Sequence, residues 1–121
     1  MTGVEHLFAG LGVSDYDAGL AWYTRLFGRE PDVTVSETEA MWQLVGSGWV
    51  YVIRDGERAG RGLLTLLVDD LDASVANLAE RGIVAGAIET EPGLYRKAVV
   101  NDADGNTISL GEDLSDASSR A

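Results

Sequence analysis

The chain has 121 residues, of which 45% are hydrophobic and 24% charged, and it carries a formal net charge of -11 at pH 7. The absence of cysteine excludes a disulfide framework, a thiol nucleophile and a thiolate metal site. The negative charge disfavours nucleic acid and membrane partners and favours a cationic ligand, and with no long apolar run and no signal-like N-terminus we expect a cytoplasmic protein.

The first half of the chain predicts one strand, one helix and then three strands. Residues 6–13 form an apolar run that predicts a strand, and Ser14-Asp15 is typical of a helix N-cap. Apolar side chains then recur at helical spacing, and Gly28 is expected to end the helix. Further strands are predicted at 33–36, 41–45 and 49–53, the last two joined by a hairpin turn at 46–48.

The second half repeats this order after a polar connector at 54–61. A strand is predicted at 63–68, and Asp70 is expected to cap a helix that Gly82 ends. Strands are predicted at 83–88, 94–100 and 107–110, with a tight turn at 104–106 before the last. The polar tail at 112–121 is expected to fray or to cover a partner.

Two segments 55 residues apart carry the same residue pattern. Residues 11–22 read LGVSDYDAGLAW and residues 66–77 read LLVDDLDASVAN, with six identical pairs. We therefore predict one domain, 1–121, made of two pseudo-repeats at about 4–56 and about 60–112. The predicted class is α+β, with paired βαβββ modules that form curved mixed sheets around a cleft.

Three segments resemble the vicinal oxygen chelate superfamily, which includes glyoxalases, bleomycin-resistance proteins and extradiol dioxygenases. Residues 13–28 and 68–72 are similar to the strand–helix units of that superfamily, and DADGNTISL at 102–110 is similar to its closing hairpin. The resemblance implies the paired fold, a homodimer and a cavity in each curved sheet. It does not by itself distinguish an enzyme from a binding protein.

The resemblance also implies four positions that hold a divalent metal in catalytic members. In this chain those positions map to Phe8, Val52, Leu63 and Ser109. Phe, Val and Leu offer no lone pair, and one neutral hydroxyl is a poor ligand by itself. We therefore expect no metal, no cofactor and no catalytic residues, which places the chain nearest to the resistance proteins that act without a metal.

The remaining candidates are polar or aromatic side chains that could contact a ligand. His6, the only histidine, is either a pocket donor or base or an edge residue bonded to backbone or water. Trp42 and Trp49 flank the hairpin, and either could stack on a planar ligand. Arg54 shares a strand face with Val52 and could meet an anionic group. The full expected ligand set is His6, Phe8, Trp42, Trp49, Val52, Arg54, Leu63, Tyr95 and Ser109.

These residues support three functional hypotheses. The first is a metal-independent protein that binds a small aromatic or cationic molecule, with an antibiotic as one candidate. The alternative is a metal-dependent lyase, isomerase or dioxygenase, which would require a shifted strand register or an unrecognised acid–base pair. The third is an accessory module whose dimer surface is the functional part.

Overall fold

The structure is a computed structural model that describes residues 1–115. It contains two helices and eight strands within that range, and Asp113 is the last residue of the last strand. In chain order the elements are β1 (Leu7–Val13), α1 (Tyr16–Phe27), β2 (Val33–Ser36), β3 (Glu39–Val45), β4 (Gly48–Arg54), β5 (Leu63–Leu67), α2 (Leu71–Glu80), β6 (Glu89–Glu91), β7 (Tyr95–Asn101) and β8 (Thr107–Asp113).

The strands form two four-stranded mixed sheets with the same connectivity. The first has the order β1-β4-β3-β2 and the second β5-β8-β7-β6. β1 pairs in parallel with β4, and β5 pairs in parallel with β8. All other neighbouring strands are antiparallel. This arrangement confirms the predicted α+β class with two βαβββ modules.

Each helix begins at an aspartate that the sequence identified. The side chains of Asp15 and Asp70 accept hydrogen bonds from the backbone N–H groups of Ala18 and Ala73, at 3.1 and 3.0 Å. These bonds satisfy donors that have no partner within the helix. Gly28 follows α1 with φ 74°, a left-handed conformation that favours glycine and stops the helix.

One side of the first sheet packs against α1. Trp42 of β3 lies beneath the helix, with its ring centroid 5.1 Å from that of Phe27, and its Nε1 donates to the carbonyl of Arg29 at 3.0 Å. The fully or nearly fully buried side chains on this side of the sheet are Leu11, Val13, Ala40, Trp42, Val50 and Val52.

One side of the second sheet is buried in the same way beside α2. The core residues of this module are Leu71, Leu78, Ile83, Ala98, Val100, Ile108 and Leu110. Arg96 also lies on this side of β7 and donates two hydrogen bonds to the carboxylate of Asp72 on α2, at 3.0 and 3.1 Å. The helix and sheet are thus held by buried apolar contacts, by the Arg96–Asp72 ion pair and by a hydrogen bond from the N–H of Leu71 to the Glu112 carboxylate at 2.9 Å.

Two predicted strands differ clearly from the structure. Residues 83–88 form no strand, and the short edge strand is Glu89–Glu91 instead. The last strand continues beyond residue 110 to Asp113, because Glu112 and Asp113 still pair with β7. Of the predicted tail, residues 116–121 lie outside the described part of the chain. Neither described helix is long and apolar enough to cross a membrane.

The chain divides into two compact units. The first comprises Met1–Gly62 with the loop Asp102–Asn106, and the second comprises Leu63–Asn101 and, among the described residues, 107–115. The loop is held in the first unit by Asn106, whose Nδ2 donates to the carbonyl of Gly12 at 2.8 Å. Whether the chain behaves as the single domain expected from sequence stays a prediction.

A buried hydrogen-bond network fixes the Asp102–Asn106 loop. One oxygen of the Asp102 carboxylate accepts three backbone N–H groups of the loop, at 2.9 to 3.0 Å. The other accepts the hydroxyl of Tyr23 at 2.7 Å and Nδ2 of Asn106 at 2.8 Å. Burial, reinforced by the hydrogen bond to Asp102, raises the pKa of Tyr23 far above its usual value. The network explains these residues as parts of a structural turn.

Candidate functional site

The side of the first sheet that faces away from α1 carries an aromatic row. Across the parallel ladder, Phe8 pairs with Trp49 and Gly10 pairs with Tyr51. Side chains alternate along a strand, so these residues face opposite to Val52, which is 0% exposed beneath α1. We call this side of the first sheet the open face.

Phe8 and Trp49 are stacked on the open face. Their ring centroids are 5.7 Å apart with an interplanar angle of 21°, and His6 lies beside them with its centroid 6.4 Å from Phe8. Phe8 is 47% exposed. The indole N–H of Trp49 is buried and has no acceptor within the described residues. A large aromatic surface and an unsatisfied donor therefore lie together on one face.

Tyr51 lies flat on the open face because Gly10 leaves room for its ring. A Cβ atom at position 10 would lie 2.5 Å from the Tyr51 hydroxyl oxygen, and closer still to the ring. Trp49 and Tyr51 are two residues apart on one strand, so their side chains are neighbours. The tyrosine therefore extends the aromatic surface that Phe8 and Trp49 begin.

A cleft of about 700 Å³ lies toward the carboxyl ends of β1 and β4. Tyr51 and the glycines of β1 form its inner part, and the connector after β4 forms its outer part. The lining residues are Gly10, Gly12, Tyr51, Ile53, Asp55, Glu57, Arg58, Arg61 and Gly62. A volume of this size is in the range that binds drug-sized molecules.

The connector that borders the cleft is folded back on the sheet. Its backbone lies against Gly12, where a Cβ atom would be only 3.2 Å from backbone atoms of Asp55 and Arg58. The Asp55 carboxylate accepts backbone N–H groups from Glu57 and Arg58 at 3.1 and 3.2 Å. At its far end, the N–H of Gly62 donates to the Asn106 side chain at 2.7 Å. The connector was predicted from its polar composition, and much of it is exposed, but the sequence did not predict that it also forms the cleft wall.

Two of the expected ligand residues are buried in the core. Val52 and Trp42 are both 0% exposed and lie on the side of the sheet that packs against α1. Neither can contact a molecule on the open face, so their expected roles are corrected. Position 52 was reached by counting four residues from Gly48, as Ser109 is four residues after Gly105. The ladders instead match Ser109, paired with Thr65, to Tyr51, paired with Gly10, so the count has to start one residue earlier, at Ser47.

Arg54 also differs from its expected place. It shares the strand face of Val52, as predicted, but that face is the helix side and not the open face. Its side chain lines a separate depression of about 480 Å³ near the start of α1. The other lining residues there are Ser14, Asp15, Tyr16, Asp17, Glu37 and Thr38.

Three expected ligand residues belong to the second unit. Leu63, Tyr95 and Ser109 have the same strand parity, on the side of that sheet away from its buried core. Leu63 is 84% exposed and Tyr95 is 40% exposed. Lys97 lies over the Tyr95 ring, with Nζ 5.7 Å from the centroid.

The strand register also changes one of the four positions that hold a metal in catalytic relatives. Ser109 pairs with Thr65, two residues after Leu63, and the corresponding pair in the first module is Tyr51 with Gly10, two residues after Phe8. The corrected set is therefore Phe8, Tyr51, Leu63 and Ser109. Two hydrocarbon side chains and two neutral hydroxyls do not fit a divalent ion. Among residues 1–115, no group of three or more His, Asp or Glu side chains could hold a metal.

Sequence reasoning missed Tyr51, Gly10, Arg58 and Arg61 as cleft residues. The alternation of aromatic and aliphatic residues in WVYV at 49–52 was the available signal, because it separates two strand faces. No comparable local signal marks the connector, whose fold depends on contacts with distant residues.

Two βαβββ modules, each with one buried and one open sheet face, define the class of this small α+β protein. The chain belongs to the Glyoxalase/Bleomycin resistance protein/Dioxygenase superfamily, whose family model matches residues 3–110. The resemblance seen in the sequence is thereby confirmed.

Solved structures support the assignment. A glyoxalase/bleomycin resistance protein from Catenulispora acidiphila DSM 44928 is 43% identical, with a TM-score of 0.85, and the match covers 90% of this chain and 98% of that one. TnmS3, an antibiotic binding protein from Streptomyces sp. CB03234, is 24% identical, with a TM-score of 0.75 and coverages of 93% and 98%. The latter likeness shows the fold alone. Comparison with curated proteins gives no match.

Proposed function

We propose that this protein binds a small aromatic molecule on the open face of the first sheet without a resident metal. The observation that carries the proposal is the stacked, solvent-accessible pair of Phe8 and Trp49 beside the cleft. Burial of aromatic rings against such a surface supplies both hydrophobic and stacking free energy. Tyr51 continues the surface into the cleft, where polar groups can orient the ligand.

Family membership supports a binding role of this kind. Relatives with the same fold include TnmS3, which is described as an antibiotic binding protein. An antibiotic is accordingly our first ligand class for this chain. Sequestration requires affinity and shape alone, so it needs none of the metal donors that catalytic relatives use.

A metal-dependent lyase, isomerase or dioxygenase remains the alternative function for the superfamily. The donor chemistry of Phe8, Tyr51, Leu63 and Ser109 does not support it, because two of the four side chains have no donor atom. We also propose that the protein is a cytoplasmic homodimer. Native mass spectrometry of purified protein would give both the oligomeric state and the metal content.

Tryptophan fluorescence tests the proposal directly. Two uncharged aromatic molecules, the antibiotic chloramphenicol and 2-naphthamide, are titrated into the wild type and into Trp49→Phe and Trp22→Phe variants. Trp22 is the matched control because it lies on α1, with its ring 4.7 Å from Tyr23 and away from the open face. We expect saturable quenching in the wild type and in Trp22→Phe, and at least a several-fold weaker affinity in Trp49→Phe.

Two results would contradict the proposal. The first is an absence of saturation with either compound. The second is equal affinity of Trp49→Phe and the wild type when binding is measured by calorimetry. Dialysis against a chelator should leave the affinity unchanged, and restoration of binding by one divalent ion per chain would favour the metal-dependent alternative.

A further inference from the structure

The two arginines of the connector differ in their partners. Arg58 donates to Asp55 at 3.0 Å, so these two charges neutralise each other. Arg61 lines the same cleft, and no carboxylate within residues 1–115 forms an ion pair with it. Glu57 also lines the cleft without an ion pair among these residues, so the cleft has one unpaired cation, Arg61, and one unpaired carboxylate, Glu57.

The backbone holds Arg61 between two anchored points. Its own N–H donates to the carbonyl of Arg58 at 3.2 Å, and the next residue, Gly62, is bonded to Asn106. The turn that precedes it is closed by Asp55. The guanidinium thus projects from a fixed backbone segment, which lowers the entropy lost when it binds a ligand.

Three hydrogen-bond donors of this region have no acceptor in the described part of the chain. They are the guanidinium of Arg61, the hydroxyl of Tyr51 and the buried indole N–H of Trp49. The first two line one cleft, and the third lies on the neighbouring strand position of the same face. A site built from unpaired donors is complementary to a ligand that supplies acceptors.

We infer that the cleft selects an aromatic acid, with the ring on the aromatic row and a carboxylate or similar anion at Arg61 and Tyr51. This inference rests on the proposed function, because it uses the same face for the ring. It also reverses the expectation of a cationic ligand, which followed from the charge of the whole chain. The lining of the cleft is balanced in charge, with Asp55 and Glu57 against Arg58 and Arg61, so the preference for an anion rests on the donors of Arg61 and Tyr51. Water and salt screen the more distant carboxylates of the chain.

Three probes with one ring system and different charge test the inference by calorimetry at pH 7. They are 2-naphthoate, the neutral 2-naphthamide and the cation 2-naphthylmethylammonium. We expect 2-naphthoate to bind about tenfold more tightly than the amide, and the cation to bind most weakly, since a hydrogen bond to a charged group is worth at least that ratio.

Substitution of the arginine should remove only the preference for the anion. In Arg61→Gln we expect 2-naphthoate to fall to the affinity of the amide, while the amide itself binds as in the wild type. Arg61→Lys keeps the charge but loses the planar guanidinium with its several N–H donors. It should therefore retain part of the preference for 2-naphthoate over the amide. The matched control is Arg54→Gln, which removes the same charge from the helix side of the sheet and should leave all three affinities unchanged.

The outcomes separate this inference from the proposed function. Tighter binding of the cation than of the anion, or unchanged binding of 2-naphthoate by Arg61→Gln, would overturn the choice of an aromatic acid. After either result, the proposed binding of an aromatic ring on the open face would still be supported if Trp49→Phe weakened binding of the amide. Failure of all three probes to bind would overturn both.

Discussion

The two sheets have one backbone plan and different open faces. The parallel pair of β1 and β4 has a register equivalent to that of β5 and β8. At equivalent positions, however, Gly10 faces Tyr51 in the first sheet and Thr65 faces Ser109 in the second. The glycine allows a large ring to lie across the strand, whereas the second pair is small and polar. A repeated fold can therefore place its ligand-binding side chains in one copy, because the backbone repeats and the residues do not.

The two helices also share their capping and burial pattern but differ in one buried side chain. Both are capped by aspartate, and both bury one apolar stripe. Tyr23 of α1 corresponds to Leu78 of α2 at the 55-residue spacing, and both are buried. Only the tyrosine donates a hydrogen bond to the Asp102 loop. The first module thus adds a polar contact where the second has hydrocarbon.

The largest expected change in the free energy of unfolding distinguishes the buried face of the first sheet from its open face. Trp42→Ala should lower the free energy of unfolding by about 3–5 kcal/mol, because it empties a fully buried site. Trp49→Ala removes a ring from the open face and should cost about half as much or less. Urea denaturation measures both, and equal losses would mean that the assignment of faces is wrong.

The next effect tests the difference between Tyr23 and Leu78. Tyr23→Phe removes the hydroxyl that donates to the buried Asp102 carboxylate and should lower stability by about 1–3 kcal/mol. Since the pKa of Tyr23 is raised in the folded state, its contribution is complete below the unfolded value of about 10 and declines as the pH rises above it. The wild type should therefore lose stability above pH 10 more steeply than Tyr23→Phe. A parallel decline of the two proteins in alkaline urea titrations would contradict this account.

A smaller effect on stability, but a clear one on binding, is expected at the glycine that distinguishes the two sheets. Gly10→Ala places a methyl group against the far end of the Tyr51 side chain, which can move aside. Stability should change by about 1 kcal/mol or less, whereas affinity for 2-naphthoate should fall roughly tenfold because the ring no longer lines the cleft. Thr65→Ala is the control in the second sheet, and its binding should match the wild type. Wild-type affinity in Gly10→Ala would show that the Tyr51 position is irrelevant.

The smallest effect concerns an exposed ion pair present in one module. The hydrogen bond from Arg96 lowers the pKa of Asp72. The stability that this ion pair supplies should be complete above the unfolded pKa of Asp72, about 3.9. It should be lost as the pH falls through the lower pKa that Asp72 has in the folded state. Asp72→Asn should therefore be slightly less stable than the wild type at pH 7, with the gap closing as the pH falls below the unfolded pKa of about 3.9. Asp17→Asn, the equivalent change in α1, controls for the helix dipole, and a gap of the same size there would exclude Arg96 as the cause.

Local chemistry explains why so much of the fold was predictable. Asp15 and Asp70 cap their helices through atoms within three residues, and Gly28 ends α1 by its own backbone preference. The repeat at 11–22 and 66–77 then implied two equivalent modules. Residues 83–88 were misassigned because an apolar run also fits an irregular segment, in which Ile83 is buried in the core and Val84 is 83% exposed.

The sequence by itself determined the two modules, the helix caps and the family, because these depend on short-range patterns. Only the tertiary structure decided which side chains reach the open face. The pairing of Tyr51 with Gly10 across the parallel ladder made Tyr51, and not Val52, the counterpart of Ser109, and a count from the hairpin glycine did not show this. The connector became a cleft wall because Gly62 is bonded to Asn106, 44 residues away in the chain. Contacts of such separation are a property of the folded chain and leave no local mark in the sequence.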